Sequence, residues 1–172
     1  MRLPLLSACL LLCSAVAAAK TVKIQSDSPA LEFTYEWPAQ AAAIPALDRR
    51  FKTEVEREYR RHLKLGREDK KLYQQQQRGS VSDFYSKKWS TAGESPRLLS
   101  LQYEHATYTG GAHPNTDYGA LLWDKKLSRE IRAGSLFLHA TSFEALTRKR
   151  YCSALMQERS KRRGKDWQVG LP

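Results

Sequence analysis

The chain has 172 residues, of which 27% are charged, and a formal net charge of +11. That length suits one domain with a real core. After the first nineteen residues no apolar run approaches the roughly 18–20 residues a membrane helix needs, which excludes an integral helical membrane protein on the sequence pattern.

Residues 1–19 have the layout of a secretory signal peptide. Met1-Arg2 is a short positive start, Leu3 to Val16 an apolar run, and Ala17-Ala18-Ala19 a small-residue exit before Lys20. A lipoprotein signal is the rival, through Leu6-Ser7-Ala8-Cys9, but the apolar stretch before Cys9 is short and the A-x-A exit would go unused. The expectation is an exported protein, periplasmic or extracellular. Cleavage removes Cys9 and Cys13 and leaves Cys152 alone, read as a small core residue on a helix or as half of a disulfide whose partner lies beyond Pro172.

The positive charge is concentrated. Arg49 to Lys71 holds ten Lys/Arg against five acids, and Arg148 to Lys165 eight against one. An exported chain with this balance meets anionic wall polymer, lipid head groups or acidic polysaccharide rather than nucleic acid.

In chain order, Thr21 to Ile24 and Leu31 to Trp37 alternate as strands, with Leu31, Phe33, Tyr35 and Trp37 on one face. Pro38 ends the second, and residues 39–45 read as a linker. A long helix begins near Ile44-Pro45, its stripe Leu47, Phe51, Val55, Tyr59 and Leu63 recurring every four residues. Gly66 is read as a break or kink, after which a second helical piece continues through Leu72, Tyr73 and Gln74 to Gln77; Arg78-Gly79-Ser80 is read as the stop, and Val81 to Glu94 as a turn or short helix anchored by Phe84, Tyr85 and Trp89. Arg97 to Tyr108 is the clearest strand, with Leu99, Leu101, Tyr103, His105 and Thr107 on one face. Tyr118 to Trp123 is its hairpin partner. A short strand lies within Arg129 to Leu138. A last helix runs from an N-cap at Ser142 to Arg163, with Phe143, Leu146, Tyr151, Leu155 and Met156 as its apolar side, and Gly164 stops it. The fold class is therefore α+β: an antiparallel sheet with a central hairpin and two long helices packed on it. Three or four strands are few, so C-terminal strands are expected to be missing. The expected organisation is a signal peptide over 1–19, an α+β module over 20–134, and the start of a second segment over 135–172.

Between the two hairpin strands lies the stretch of greatest interest, Tyr108-Thr109-Gly110-Gly111-Ala112-His113-Pro114-Asn115-Thr116-Asp117-Tyr118. Gly110-Gly111 permits φ above zero and close approach of a partner. Amides there would cradle a sugar hydroxyl or carboxylate, unless both glycines serve only the turn. His105 and His113 with Glu104 and Asp117 contain metal-ligand types, but zinc needs three or four ligands converging on one point, and His113 is read instead as donating to a turn carbonyl. No metal and no cofactor are assigned. Glu36, Glu104 and Asp117 are candidate carboxylates, but glycoside hydrolysis requires two acids at a defined separation, which the sequence does not place. No nucleophile elbow, phosphate-binding loop or dinucleotide fingerprint is present. Tyr108 and Tyr118, at the loop's two ends, are expected to be partly exposed and fit for stacking; Tyr35, Trp37, Tyr103 and Trp123 read mainly as core.

The Thr-Gly-Gly-Ala-His turn, with strand Leu31 to Trp37, strand Leu98 to Tyr108 and Ala120-Leu121-Leu122-Trp123-Asp124, resembles the extracytoplasmic module of PdaC-type peptidoglycan deacetylases and RsiV-type anti-sigma factors. Ser135-Leu136-Phe137 and the helix through Tyr151-Cys152 resemble the opening of the second piece that follows that module. The resemblance implies an α+β fold and a cell-wall neighbourhood. In those deacetylases the catalytic metal sits in a separate domain, and in the anti-sigma factors the module binds lysozyme. The expectation is a non-catalytic exported module that binds a cell-envelope component, peptidoglycan or a wall-associated protein. Its candidate contacts are Tyr108, Thr109, Gly110, Gly111, His113, Asn115, Asp117 and Tyr118. The alternatives are a lysozyme-type protein binder and an accessory part or enzyme of peptidoglycan deacetylation.

Overall fold

A computed structural model describes residues 20–163 apart from 78, 80 and 81. The signal segment 1–19, the stop at Arg78 and Ser80, the Gly164 terminator and the residues after it lie outside the described residues. The elements are β1 (Val22–Ser28), β2 (Leu31–Trp37), α1 (Ala39–Ala42), α2 (Pro45–Gln75), β3 (Asp83–Glu94), β4 (Leu98–Tyr108), β5 (Asn115–Asp124), β6 (Arg129–Ile131), a 3-10 turn (Ala133–Leu136) and α3 (Ala140–Arg163). The six strands lie side by side in chain order. This is the α+β class read from the sequence. One pair departs from the antiparallel rule: β2 and β3 run parallel, with Leu31 opposite Asp83 and Glu36 opposite Lys88. A parallel pair needs a crossover, and α2 is that crossover.

Two compact units share the strands. The first takes residues up to Thr91 together with Tyr103–Gly119; the second takes Ala92–Gln102 together with Ala120 onward.

The first unit is built by two matched periodicities. In β2, Leu31, Phe33, Tyr35 and Trp37 are buried while the residues between them are exposed or half-buried. In α2, Leu47, Phe51 and Val55 make the buried stripe. Their rings interlock: Phe33 stacks on Tyr85 at 4.8 Å, and Phe51 lies 5.0 Å from Trp89. The two indole N–H groups of this core are satisfied. Trp89 Nε1 donates to the Tyr35 hydroxyl at 2.9 Å, and Trp37 Nε1 donates to Asp48 Oδ1 at 3.2 Å. Lys87 enters the same interface from β3 and pairs with Glu54 at 2.5 Å, its ammonium 4.2 Å from the Tyr103 ring centre.

Three expectations are corrected in this unit. Gly66 does not break the helix; α2 runs through it, and a Cβ there would overlap the Ala30 carbonyl oxygen. The glycine serves close approach rather than termination. Val81 to Glu94 is neither turn nor short helix, because β3 occupies Asp83–Glu94. Its helix-facing side, Asp83, Tyr85, Lys87 and Trp89, carries two charges, and these hid the alternation. Within the presumed linker, residues 39–42 close a single turn of helix, α1.

In the second unit Leu99, Leu101, Leu121 and Trp123 are buried. Asp124, at the end of β5, organises the turn into β6. Its Oδ1 accepts from the amides of Lys126 and Leu127, each at 2.9 Å, and its Oδ2 pairs with Arg97 at 2.8 Å. The amide bonds and then the guanidinium hold this carboxyl below its ordinary range. α3 meets the 3-10 turn, with the Phe137 and Phe143 rings 5.4 Å apart. Ser142 is not its N-cap; the helix begins at Ala140, and the Ser142 amide donates to the His139 carbonyl at 3.0 Å. The α3 apolar residues form no buried stripe: Leu146 and Tyr151 are exposed. Cys152 is a free, half-buried thiol rather than a core residue. Among the described residues no helix is long and apolar enough to cross a membrane.

Candidate functional site

The connection between β4 and β5, residues 109–114, is held at three points. Gly110 and Gly111 take φ of 98° and 108°, the left-handed region that a side chain resists. The Tyr108 hydroxyl donates to the Gly111 carbonyl at 2.9 Å, and Tyr73 of α2 donates to the Thr109 carbonyl at 3.4 Å. A Cβ on Gly110 would overlap that Tyr73 hydroxyl. His113 Nδ1 lies 3.1 Å from the Pro114 carbonyl, so Nδ1 carries the proton and fixes the turn. The loop is thus a formed surface.

Beside it opens a shallow groove of about 540 Å³, lined by Glu32, Ser82, Phe84, Tyr108, Ala112, His113 and Pro114. Alternation along the strands puts Glu32, Phe84 and Tyr108 on the side opposite the residues that pack on α2. The groove combines two aromatic walls with a carboxylate, a hydroxyl and an imidazole. That combination recognises a ring bearing hydroxyl or amide groups.

The eight candidate residues therefore divide. Tyr108 and His113 line the groove, and Gly111 anchors Tyr108. Thr109 and Gly110 are tied to Tyr73. Asn115 and Tyr118 are exposed, Tyr118 to 72%. Asp117 leaves the group: it turns to the other side of the sheet and pairs with His105, Oδ1 to Nδ1, at 3.1 Å. Glu32, Ser82 and Phe84 were not anticipated. Phe84 carried a signal, an aromatic at an outward strand position, but it is visible only once β3 is recognised as a strand.

Asp117 and His105 belong to a second cluster. The Tyr85 ring lies between two imidazoles, 4.6 Å from His62 and 4.9 Å from His105. Burial first, then Arg61 and His105, pushes His62 below its ordinary pKa against the opposing pull of Glu58. His105 Nε2 and His62 Nδ1 are buried without a hydrogen-bond partner among the described residues. An imidazole held by a carboxylate is half of a proton-transfer device, yet here the free nitrogen faces the interior. A general base must reach its substrate, and this one does not. Among the described residues no group of three or more His, Cys, Asp or Glu is arranged to hold a metal ion.

One further carboxyl lies on the helix-facing side of β3, away from the groove. Asp83, between Ser82 and Phe84, is pushed up to about 6, mainly by burial and further by the carboxylate of Asp69 on α2.

This arrangement defines an α+β domain with one sheet side packed on a long helix and a loop-rimmed groove on the other. The family model described as Deacetylase PdaC matches residues 24–116, more than half of the chain, and the chain belongs to that family. Among solved structures it is similar to a DUF3298 family protein of Pseudomonas aeruginosa PAO1, at 14% identity and a TM-score of 0.44, covering 88% of this chain and 75% of that one. It is also similar to a DUF3298 family member of Bacteroides fragilis NCTC 9343, at 16% identity and a TM-score of 0.42, covering 68% of this chain and 60% of that one. No curated protein matches the sequence.

Proposed function

We propose that this chain is an exported, non-catalytic module that binds a cell-envelope glycan in the groove beside the β4–β5 loop. The observation that carries the reading is the groove itself: Phe84 and Tyr108 offer ring faces, and Glu32, Ser82 and His113 offer polar atoms around them. Amino sugars with N-acetyl groups present matching apolar faces and hydrogen-bonding edges. The family's description as a deacetylase agrees with a substrate of that kind. Binding is favoured over hydrolysis because the His105–Asp117 pair buries its second nitrogen. Export rests on the charge and apolar layout of residues 1–19.

The test is retention of the purified chain on isolated peptidoglycan sacculi, washed with about 0.5 M salt to suppress charge-only contacts. Retention is expected, with at least a tenfold loss for Tyr108→Ala. Absence of retention at low salt overturns the proposal, as does full retention of the Tyr108→Ala protein.

A further inference from the structure

We infer that the exposed side of α2 is a second, separate docking surface, and that its partner is a linear acidic polysaccharide carrying carboxylates. Arg60, Lys64, Arg67 and Lys71 follow one another at steps of four, three and four residues. At 100° per residue they fall within about 60° of arc and extend along about 16 Å of helix. With Leu63 and Glu68 they line a shallow groove of about 350 Å³.

Two of the four cations have partners, and those partners are weak. Arg60 meets Glu56 at 3.0 Å, and Lys64 meets Glu68 at 4.0 Å, all four side chains being more than half exposed. Such pairs are largely screened and exchange readily. Arg67 and Lys71 make no ion pair with any described residue.

The spacing is costly to the free protein. Arg60 and Lys64, Lys64 and Arg67, and Arg67 and Lys71 are successive i,i+3 or i,i+4 neighbours of like charge, and each such pair disfavours the helix. The buried side of α2 does not require them, since it is carried by Leu47, Phe51, Val55 and Gly66. A polymer whose negative charges repeat along its length would relieve three repulsions at once, and Arg forks bind carboxylates in bidentate fashion.

The shape of the row selects among polyanions. No aromatic ring lies in it, so the stacking that holds single-stranded nucleic acid is absent. The exposed leucines of α2, Leu65 and Leu72, stand about 100° from their neighbours Lys64 and Lys71. A bilayer lying against the row would leave them off its contact line, unlike an interfacial helix that buries its apolar side. What fits a narrow, straight row of cations over aliphatic stems is a single extended anionic chain.

The test uses the full chain with polygalacturonate as probe, titrated at several salt concentrations. Binding is expected at low salt and should fall steeply as salt rises. The doubly neutralised protein Arg67→Gln/Lys71→Gln should bind at least tenfold more weakly and show a shallower salt dependence, with unchanged circular dichroism and a Tm no lower than the parent's. Lys149→Gln/Arg150→Gln on α3 removes the same charge elsewhere and should bind within about twofold of the parent. Equal losses in the two variants would reduce the effect to net charge and overturn the proposal. So would tighter binding to single-stranded DNA or to vesicles of anionic phospholipid than to polygalacturonate. Tyr108→Ala should leave polygalacturonate binding intact, so failure of the loop groove and failure of the helix row are read separately.

Discussion

The β2–α2 region and the α3 region contain similar proportions of apolar residues and use them differently. In β2 every second residue is apolar, in α2 every third or fourth, and both sets disappear into one ring-packed interface. In α3 Phe143, Leu146, Tyr151, Leu155 and Met156 point around the helix rather than along one side, and Leu146 and Tyr151 remain exposed. Apolar content alone does not bury a segment. Period decides it, because only residues repeating at the element's own pitch reach a common surface.

The largest test of that contrast is truncation on each side. Phe51→Ala should cost about 3–5 kcal/mol in chemical denaturation, as for a fully buried aromatic, whereas Leu146→Ala should stay within about 0.5 kcal/mol. Comparable losses would show that α3 is as tightly packed as α2. Next comes space at the backbone. Gly66→Ala must push against the Ala30 carbonyl and should cost about 1–3 kcal/mol, while Gly134→Ala, with no atom within 4 Å of the added carbon, should be nearly silent in the same assay.

The smallest effect separates the two units by pH. Asp83, in the first, has a folded value of about 6 against an ordinary 3.8, so the folded state holds its proton more tightly. Its stabilising contribution is full below about 3.8 and is lost as pH rises through about 6. Asp124, in the second, is held below its ordinary range, so its contribution is present above 3.8 and lost as pH falls through its depressed value. Asp83 should therefore lower Tm as pH rises from about 4 to about 6, against the opposite pull of His62, and Asp83→Asn should shift that slope upward. An unchanged slope would remove Asp83 as its source.

The same contrast explains what was legible beforehand. Strand β2, helix α2 and the β4–β5 hairpin announce themselves by period and by Pro45 and Gly110-Gly111. Strand β3 does not, since Asp83 and Lys87 sit at inward positions where charge is unexpected; only the Asp69 and Glu54 side chains of α2 account for them. Missing β3 concealed Phe84 and Ser82, and with them half of the groove. The loop's own contribution, Tyr108 and His113, was visible because turn chemistry is local. Asp117 was misplaced because proximity in sequence was taken for proximity in space: a strand turns alternate residues to opposite sides, and Asp117 falls on the side of His105.

The parallel pairing of β2 with β3 also sets a local closure beside a long-range one. β1 and β2 are joined by Pro29-Ala30 alone and can meet as a hairpin within microseconds. Leu31 finds Asp83 only across about 50 intervening residues, a closure whose entropic cost is spread over the whole crossover. α2 supplies 31 of those residues as one helix and carries the chain back along the sheet. The helix that presents the cationic row outward is therefore also the element that spans the gap between two paired strands of the first unit.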